Sequence, residues 1–402
     1  VVVEDGGRAA TYRDVFAVGE FRVLFLTHLV SIAGDQLARV ALVVLVFGRT
    51  GSPALAALTY ALTLIPELAG GPLLAGLADR YPRRTLMVVC DLSRAGLVAV
   101  MAVPGLPLWL LGALVFALPL IGSPYKAARA AIMPAILPGD RYEVAIGLTY
   151  TALQAGILGG YAIGAPLVAW LGSEWALLVD AGTFVLAAVL VAAGLGAHPP
   201  AASAHTERMI AAFRTLLGLV WRDRQLRVLI AYGCLAGCYT VPAGLAVPYA
   251  AQIGIGTAAV GLLLAAQPAG SALGSALMTR LVPPRRRLVL LGPLAVATSA
   301  VLLPFGLVPG LAIAVALCAL SGLLSGHDAV AVATFTRTVP AERRGQAYGL
   351  AVAVVRATQG LGAALAGVVA QFTSPSVAIA VFAALGTLAG IAAAAEWARV
   401  RG

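Results

Sequence analysis

The sequence predicts an all-α membrane protein in which 12 transmembrane helices form two pseudo-symmetric six-helix bundles, and three observations predict it. Apolar residues make up 61% of the 402 and charged residues only 11%, against roughly 25% charged in soluble domains. The apolar residues gather into stretches of the roughly 20 residues that cross a hydrocarbon core about 30 Å thick. The chain also repeats itself. LPGDRYEVAIGL at 137–148 returns as VPAERRGQAYGL at 339–350, GLADR at 76–80 as ALMTR at 276–280, and FRVLF at 21–25 as LRVLI at 226–230. Three matches in one order at nearly one offset mark two related halves.

In order, the spans read as 21–47, 54–78, 85–103, 106–124, 144–170 and 175–195, then 227–251, 258–279, 288–308, 311–334, 346–372 and 377–396. The loops between them alternate in charge. The loop at 79–84 holds Arg80, Arg83 and Arg84, and the one at 125–143 holds Lys126, Arg129 and Arg141. The central segment holds Arg208, Arg214, Arg222 and Arg224, and loops 280–287 and 337–345 add Arg280, Arg285, Arg286, Arg287, Arg337, Arg343 and Arg344. The alternate loops, around Pro104, Gly172, Gly254, Pro309 and Ser374, have no Lys or Arg, and the first of that set has only Arg49. By the positive-inside rule the basic loops and both termini face the cytoplasm. The alternation also checks the count, since one missed helix would scramble it.

Three domains are expected: an N-terminal bundle at 1–195, a linker at 196–226 and a C-terminal bundle at 227–402. In the linker, Ile210, Phe213, Leu217 and Val220 share a helical face, with Arg208 and Arg214 elsewhere. This pattern fits a helix in the headgroup region or one packed on the loops. The net charge of +10 belongs to the loops and lacks interleaved aromatics, so it points to membrane topology and not to nucleic acid. Cys90, Cys234, Cys238 and Cys318 all lie in apolar runs without metal or disulfide spacing, and no cofactor is expected. No short apolar leader with a small-residue cleavage site is present, so the first span is expected to insert uncleaved.

The segment AGLADRYPRR at 75–84 resembles the cytoplasmic loop signature of the major facilitator superfamily, Gly-x-Leu-Ala-Asp-Arg-x-Gly-Arg-Arg, and lies where that loop should lie. Ala75 and Pro82 replace its two glycines. Proline cannot adopt a positive φ, so this turn must be built differently. The resemblance implies that Asp79 faces a helix end or basic partner across the two halves and helps close the cytoplasmic side, with Arg80, Arg83 and Arg84 as partners and anchors. GILGGYAIGA at 156–165 is similar to the family exporters' glycine-rich antiporter motif, with Tyr161 in place of its proline. Gly156, Gly160 and Gly164 read first as generic helix packing. RATQG at 356–360 is similar to another family motif, but that motif belongs on the fourth span and its role is not carried over. The resemblance spans the chain and is nearest to the twelve-span drug and siderophore exporter branches.

Ionised groups at the bilayer centre cost about 2.5–3.5 kcal/mol on insertion scales and need a partner or a task. Asp35 and Arg39 lie four apart on the first span and can pair. Glu67 sits beside Pro66 on the second, where a kink can open backbone carbonyls. Asp91 and Arg94, three apart on the third, read first as a structural pair. Asp328, next to His327, and Arg356 complete the set in the second half, while Asp180 can serve either purpose. At the repeat offset Asp35 matches Thr240 and Arg39 matches Gly244, which assigns proton coupling mainly to the first half, with Asp35 as first carrier and Glu67 as second.

The expected function is secondary active transport by alternating access, as efflux of a hydrophobic or amphiphilic small molecule against protons, by a monomer in the cell (inner or plasma) membrane. Parallel halves favour a transporter. Uptake or facilitated diffusion on the same fold is the alternative, with a receptor, scaffold or intramembrane enzyme from other classes. No HExxH or GxSxG pattern supports an enzyme. ATP-driven pumping is disfavoured because Lys126 is the only lysine and lacks a glycine-rich phosphate loop.

Overall fold

A chain with so few charges has lipid and its own side chains as solvent, and in lipid each backbone N–H must be bonded within its segment. The computed structural model describes residues 11–74, 76–197, 218, 220–340 and 344–401. Among these, eleven helical segments are long and apolar enough to cross a bilayer. Arg83–Met101 supplies a twelfth. It carries Arg83, Arg84, Asp91 and Arg94 within 19 residues, yet at 1.5 Å per residue it is about 28 Å long and packs on the fourth and sixth spans. The fold is therefore all-α with twelve crossing helices.

The first six spans are Gly19–Thr50, Pro53–Gly70, Arg83–Met101, Leu108–Ile136, Asp140–Leu171 and Ser173–Gly194. The last six are Arg224–Gly244, Thr257–Leu281, Arg286–Leu307, Leu311–Thr338, Ala347–Phe372 and Pro375–Val400. The turn between the first two shows how tightly sequence sets the joints. Gly51 takes φ 62°, open to glycine without strain, and its N–H bonds Phe47 O at 2.7 Å. Ser52 then caps the next helix by accepting from Leu55 N at 3.2 Å, and Pro53 opens it.

Helix pairing follows the duplication. The first span packs on the fifth, the second on the fourth and the third on the sixth, just as the seventh packs on the eleventh, the eighth on the tenth and the ninth on the twelfth. The halves meet where the fifth span crosses the eighth and the second crosses the eleventh. Advancing every number by six maps this set of pairs onto itself.

Small residues set the closest crossings. A Cβ on Gly274 would lie 2.0 Å from Leu323 O, and one on Gly322 would lie 2.1 Å from Gln267 O, so the eighth and tenth spans touch backbone to backbone. Across the halves, a Cβ on Gly367 would lie 2.5 Å from Ala57 Cβ, and Ser52 Oγ donates to Gln371 Oε1 at 2.7 Å. These contacts close the two halves together at the end opposite the basic loops.

Several boundaries differ from expectation. Residues 125–143 are not a loop: the fourth span continues to Ile136 and the fifth begins at Asp140, which puts Lys126 and Arg129 inside a span. Pro119, Pro124 and Pro134 all sit within that helix. Proline costs one hydrogen bond but does not by itself end a membrane helix, where neighbouring helices cover the kinked turn. The second span breaks at 63–66, just before Glu67, and the tenth at Ser325 and Gly326. The expected linker helix falls mainly on 198–217 and 219, with Arg208, Ile210, Phe213, Arg214 and Leu217. These positions, like Ala75, Arg343 and the side chain of Arg285, lie outside the described residues, whereas Val220 is buried.

From Gly76 to Arg84 the signature loop is built without a positive φ. Leu77–Arg80 forms a single helical turn, then Tyr81 and Pro82 run extended into the third span. Arg83 and Arg84 do not partner Asp79. They donate to carbonyls near the C-terminal ends of two helices in the same half, Arg83 to Ala131 O at 3.1 Å and Arg84 to Ala192 O. Cations belong there because the helix dipole is negative at that end. Asp79 is half-buried and Arg80 is exposed.

Candidate functional site

Arg94 organises the polar interior of the first half. It reaches from the third span to Asp35 on the first, Nη2 to Oδ1 at 2.7 Å, and its other terminal nitrogen is 3.8 Å from Asp91 Oδ1. Its guanidinium lies 3.9 Å from the centre of the Phe184 ring, a cation–π contact that holds it in place. The helical spacing of Asp35 and Arg39 allows a pair, but the structure does not form it. Arg39 projects one turn further along the span. There Gln36 Oε1 at 2.8 Å, Tyr161 Oη at 3.0 Å and Thr63 Oγ1 at 3.0 Å satisfy its donors.

Asp180 is the residue whose role the sequence left open. It is fully buried on the sixth span and lies against Gly34, where a Cβ would come within 2.2 Å of its Oδ1. Thr183 donates to that oxygen at 3.1 Å, while Oδ2 has no partner among the described residues. Asp91 is equally buried, and neither of its carboxylate oxygens accepts a hydrogen bond. The first, third and sixth spans thus bring three carboxylates around one arginine.

Asp35 and Arg94 of the cluster line a cavity of about 150 Å³ that also receives Arg39, Glu67, Lys126, Arg129 and Arg356. Lys126 holds Glu67 at 2.9 Å and its side chain is 62% exposed, which marks the open end. The residues toward that end lie in the halves of their spans nearest the basic loops. At the opposite end Arg39 lies 5.6 Å from the centre of the Tyr60 ring and bonds Tyr161, so these three side chains form a floor above the closed contacts at Ser52 and Gly367.

The glycine motif acts on this site through packing. A Cβ on Gly156 would meet Ile32 at 2.9 Å, on Gly160 Gln36 at 2.8 Å, and on Gly164 Leu37 Cα at 3.3 Å. The fifth span is thereby seated on the turns that carry Asp35 and Arg39. Asp328 stands apart from the cavity in the second half. Tyr239 donates to its Oδ2, and His327 Nε2 is 3.4 Å from its Oδ1. Lys126 and Arg129 were missed as cavity residues because charges after a proline read as a loop. Among the described residues, His, Cys, Asp and Glu form no group of three or more fit to hold a metal.

Two six-helix halves around a polar cavity closed at one end define a membrane transporter of small molecules. The Major Facilitator Superfamily model matches residues 24–326 and 228–401, and the chain belongs to that family, which is one of transporters and not of enzymes. The enterobactin exporter EntS of Shigella boydii is 28% identical over 374 residues, covering 88% of this chain and 86% of its own. The EntS of Citrobacter koseri matches to the same extent. Among solved structures, a POT family transporter in complex with 5-aminolevulinic acid superposes with a TM-score of 0.73 at 11% identity, covering 92% of this chain and 94% of its own. A bacterial homologue of the lysosomal transporter Spinster, inward-facing and occupied, gives 0.67 at 14%, covering 98% and 96%. At such identities these two structures show the shared fold alone.

Proposed function

We propose that this chain exports an amphiphilic small molecule across a bacterial inner membrane against inward proton flow, by alternating access. The observation that carries the reading is the ratio of charges near Arg94: one guanidinium pairs with Asp35 and Asp91, while Asp180, buried against Gly34, has no cation within ion-pair distance among the described residues. A buried cluster with too few cations can hold a proton in place of the missing charge. Asp35 is the carrier, because its side chain is 32% exposed at the cavity wall whereas Asp91 and Asp180 are sealed. Rocking of the first span against the third would stretch the 2.7 Å contact with Arg94 and change the affinity of Asp35 for its proton.

In this reading residues 1–195 and 227–402 are the two rocking bodies and 196–226 the tether. The residues of this one chain suffice to line the cavity, which supports a monomer as the working unit. The basic loops face the cytoplasm with both termini, so the cavity here is open inward. Glu67, held by Lys126, is a second proton site, and the Asp79 loop helps close the cytoplasmic side. A relative named as an exporter supports the outward direction.

The test is Asp35→Asn in sealed, everted vesicles carrying an imposed pH gradient. The variant should lose gradient-driven substrate accumulation while keeping substrate exchange without a gradient. Substrate-linked proton movement equal to that of the parent would remove Asp35 as the carrier.

A further inference from the structure

We infer that the cavity is built for an organic anion: a carboxylate, sulfonate or acidic phenol on an apolar body, with the anionic group held between Arg129 and Arg356. This deepens the transport reading above and rests on it for the statement that the cavity is a substrate site. Five cationic side chains and two carboxylates line the cavity. Asp35 is taken by Arg94 and Glu67 by Lys126. No carboxylate lies within ion-pair distance of Arg39, Arg129 or Arg356 among the described residues, so these three guanidiniums have no ion-pair partner. The donors of Arg39 are engaged by neutral oxygens of Gln36, Thr63 and Tyr161. Neither Arg129 nor Arg356 has a hydrogen-bond acceptor among the described residues, and both are half-buried.

Arginines held from bulk water without an anion are costly, and a ligand anion accepting their N–H groups relieves that cost. Their placement gives the ligand a second effect. Arg129 belongs to the fourth span of one half and Arg356 to the eleventh span of the other. An anion between them draws together two walls that otherwise repel, so occupancy favours closure of the open end. Apolar side chains including Leu118, Leu153 and Ile157 supply the remaining wall. At about 150 Å³ the cavity is smaller than the roughly 300–1,000 Å³ of ordinary ligand sites. It therefore takes the charged head and one ring, leaving the rest of the molecule toward Lys126.

The test uses equilibrium binding to the purified full chain in detergent, with two probes of one apolar body: pyrenebutyrate and its trimethylammonium counterpart. Pyrenebutyrate should bind at least tenfold more tightly. Arg356→Gln and Arg129→Gln should each weaken it roughly tenfold, the loss of one charge-assisted hydrogen bond. Arg356→Lys should restore most of the binding, and Arg399→Gln, far from the cavity, should leave it unchanged. Equal or tighter binding of the cation, no saturable binding of the anion to protein with parental thermal stability, or undiminished anion binding by both glutamine variants would overturn the inference. No proton gradient enters this measurement. A chain that binds the anion but moves no protons would fail the antiport reading alone, and one that moves protons but prefers the cation would fail this inference alone.

Discussion

Replacing Arg94 by methionine should expose how the three-carboxylate cluster is held together. The side chain is 9% exposed and serves Asp35 at 2.7 Å and Asp91 at 3.8 Å. Breaking a buried pair by removing one partner costs about 3–5 kcal/mol, because the other charge is stranded. The stranded charge is Asp91 more than Asp35, although the Asp35 contact is the shorter. Asp35 is one-third exposed on the cavity wall and can recruit water, whereas Asp91 is 1% exposed and accepts no hydrogen bond. In an Arg94→Met background, Asp91→Asn should therefore recover about 2 kcal/mol or more, and Asp35→Asn under about 1 kcal/mol. Reversible denaturant unfolding in mixed micelles, run as two double-mutant cycles, measures both. Equal recovery by the two asparagines, or an Arg94→Met loss under about 1 kcal/mol, would refute the assignment of Asp91 as the dependent charge.

Two further perturbations separate packing from charge. Gly274→Ala places a methyl 2.0 Å from Leu323 O, and with backbone on both sides nothing can yield, so the loss should exceed the about 1–3 kcal/mol of ordinary overpacking; unfolding within 1 kcal/mol of the parent would contradict the backbone contact. Gln371→Ala removes the bond to Ser52 at the closed end. One hydrogen bond is worth about 0.5–1.5 kcal/mol, so the population open at that end should rise roughly two- to tenfold, read as faster labelling of a cysteine at Ala57 in a cysteine-free background.

The number and order of spans were legible because lipid imposes a length and the loops impose a charge alternation, both local properties of the chain. What failed was the boundary at Lys126 and Arg129. A proline followed by two cations looks like the end of a span, but inside a transporter such cations face a cavity, and hydropathy cannot tell that face from a loop. The intended partner of Asp35 failed for a different reason. Spacing shows which residues can meet on one helix, whereas Arg94 arrives from another helix at a height set by the packing of three spans. A trace of it was present. Gly34 beside Asp35 announces that something must approach closely there, although only the fold shows that it is Asp180.

The two halves have the same helix pairing but have divided the work. In the second half the eighth and tenth spans touch through Gly270, Gly274 and Gly322, and the seventh and eleventh through Gly237 and Gly362, contacts that resist change because no side chain can yield. In the first half the first and fifth spans also meet through glycines, at Gly156, Gly160 and Gly164, but the space around Asp35 adds charge, a buried ring face and one exposed ion pair between Glu67 and Lys126. An exposed pair contributes about 0–1 kcal/mol, so it can break and reform during a cycle without threatening the fold. Arg356 is the exception, since it brings a charge from the rigid half to the cavity. A rigid half carrying one fixed cation, set against a half whose polar contacts can rearrange, turns the binding of a small charged group into relative motion of the two bodies. Two equally charged or two equally packed halves would lack either the lever or the surface it works against.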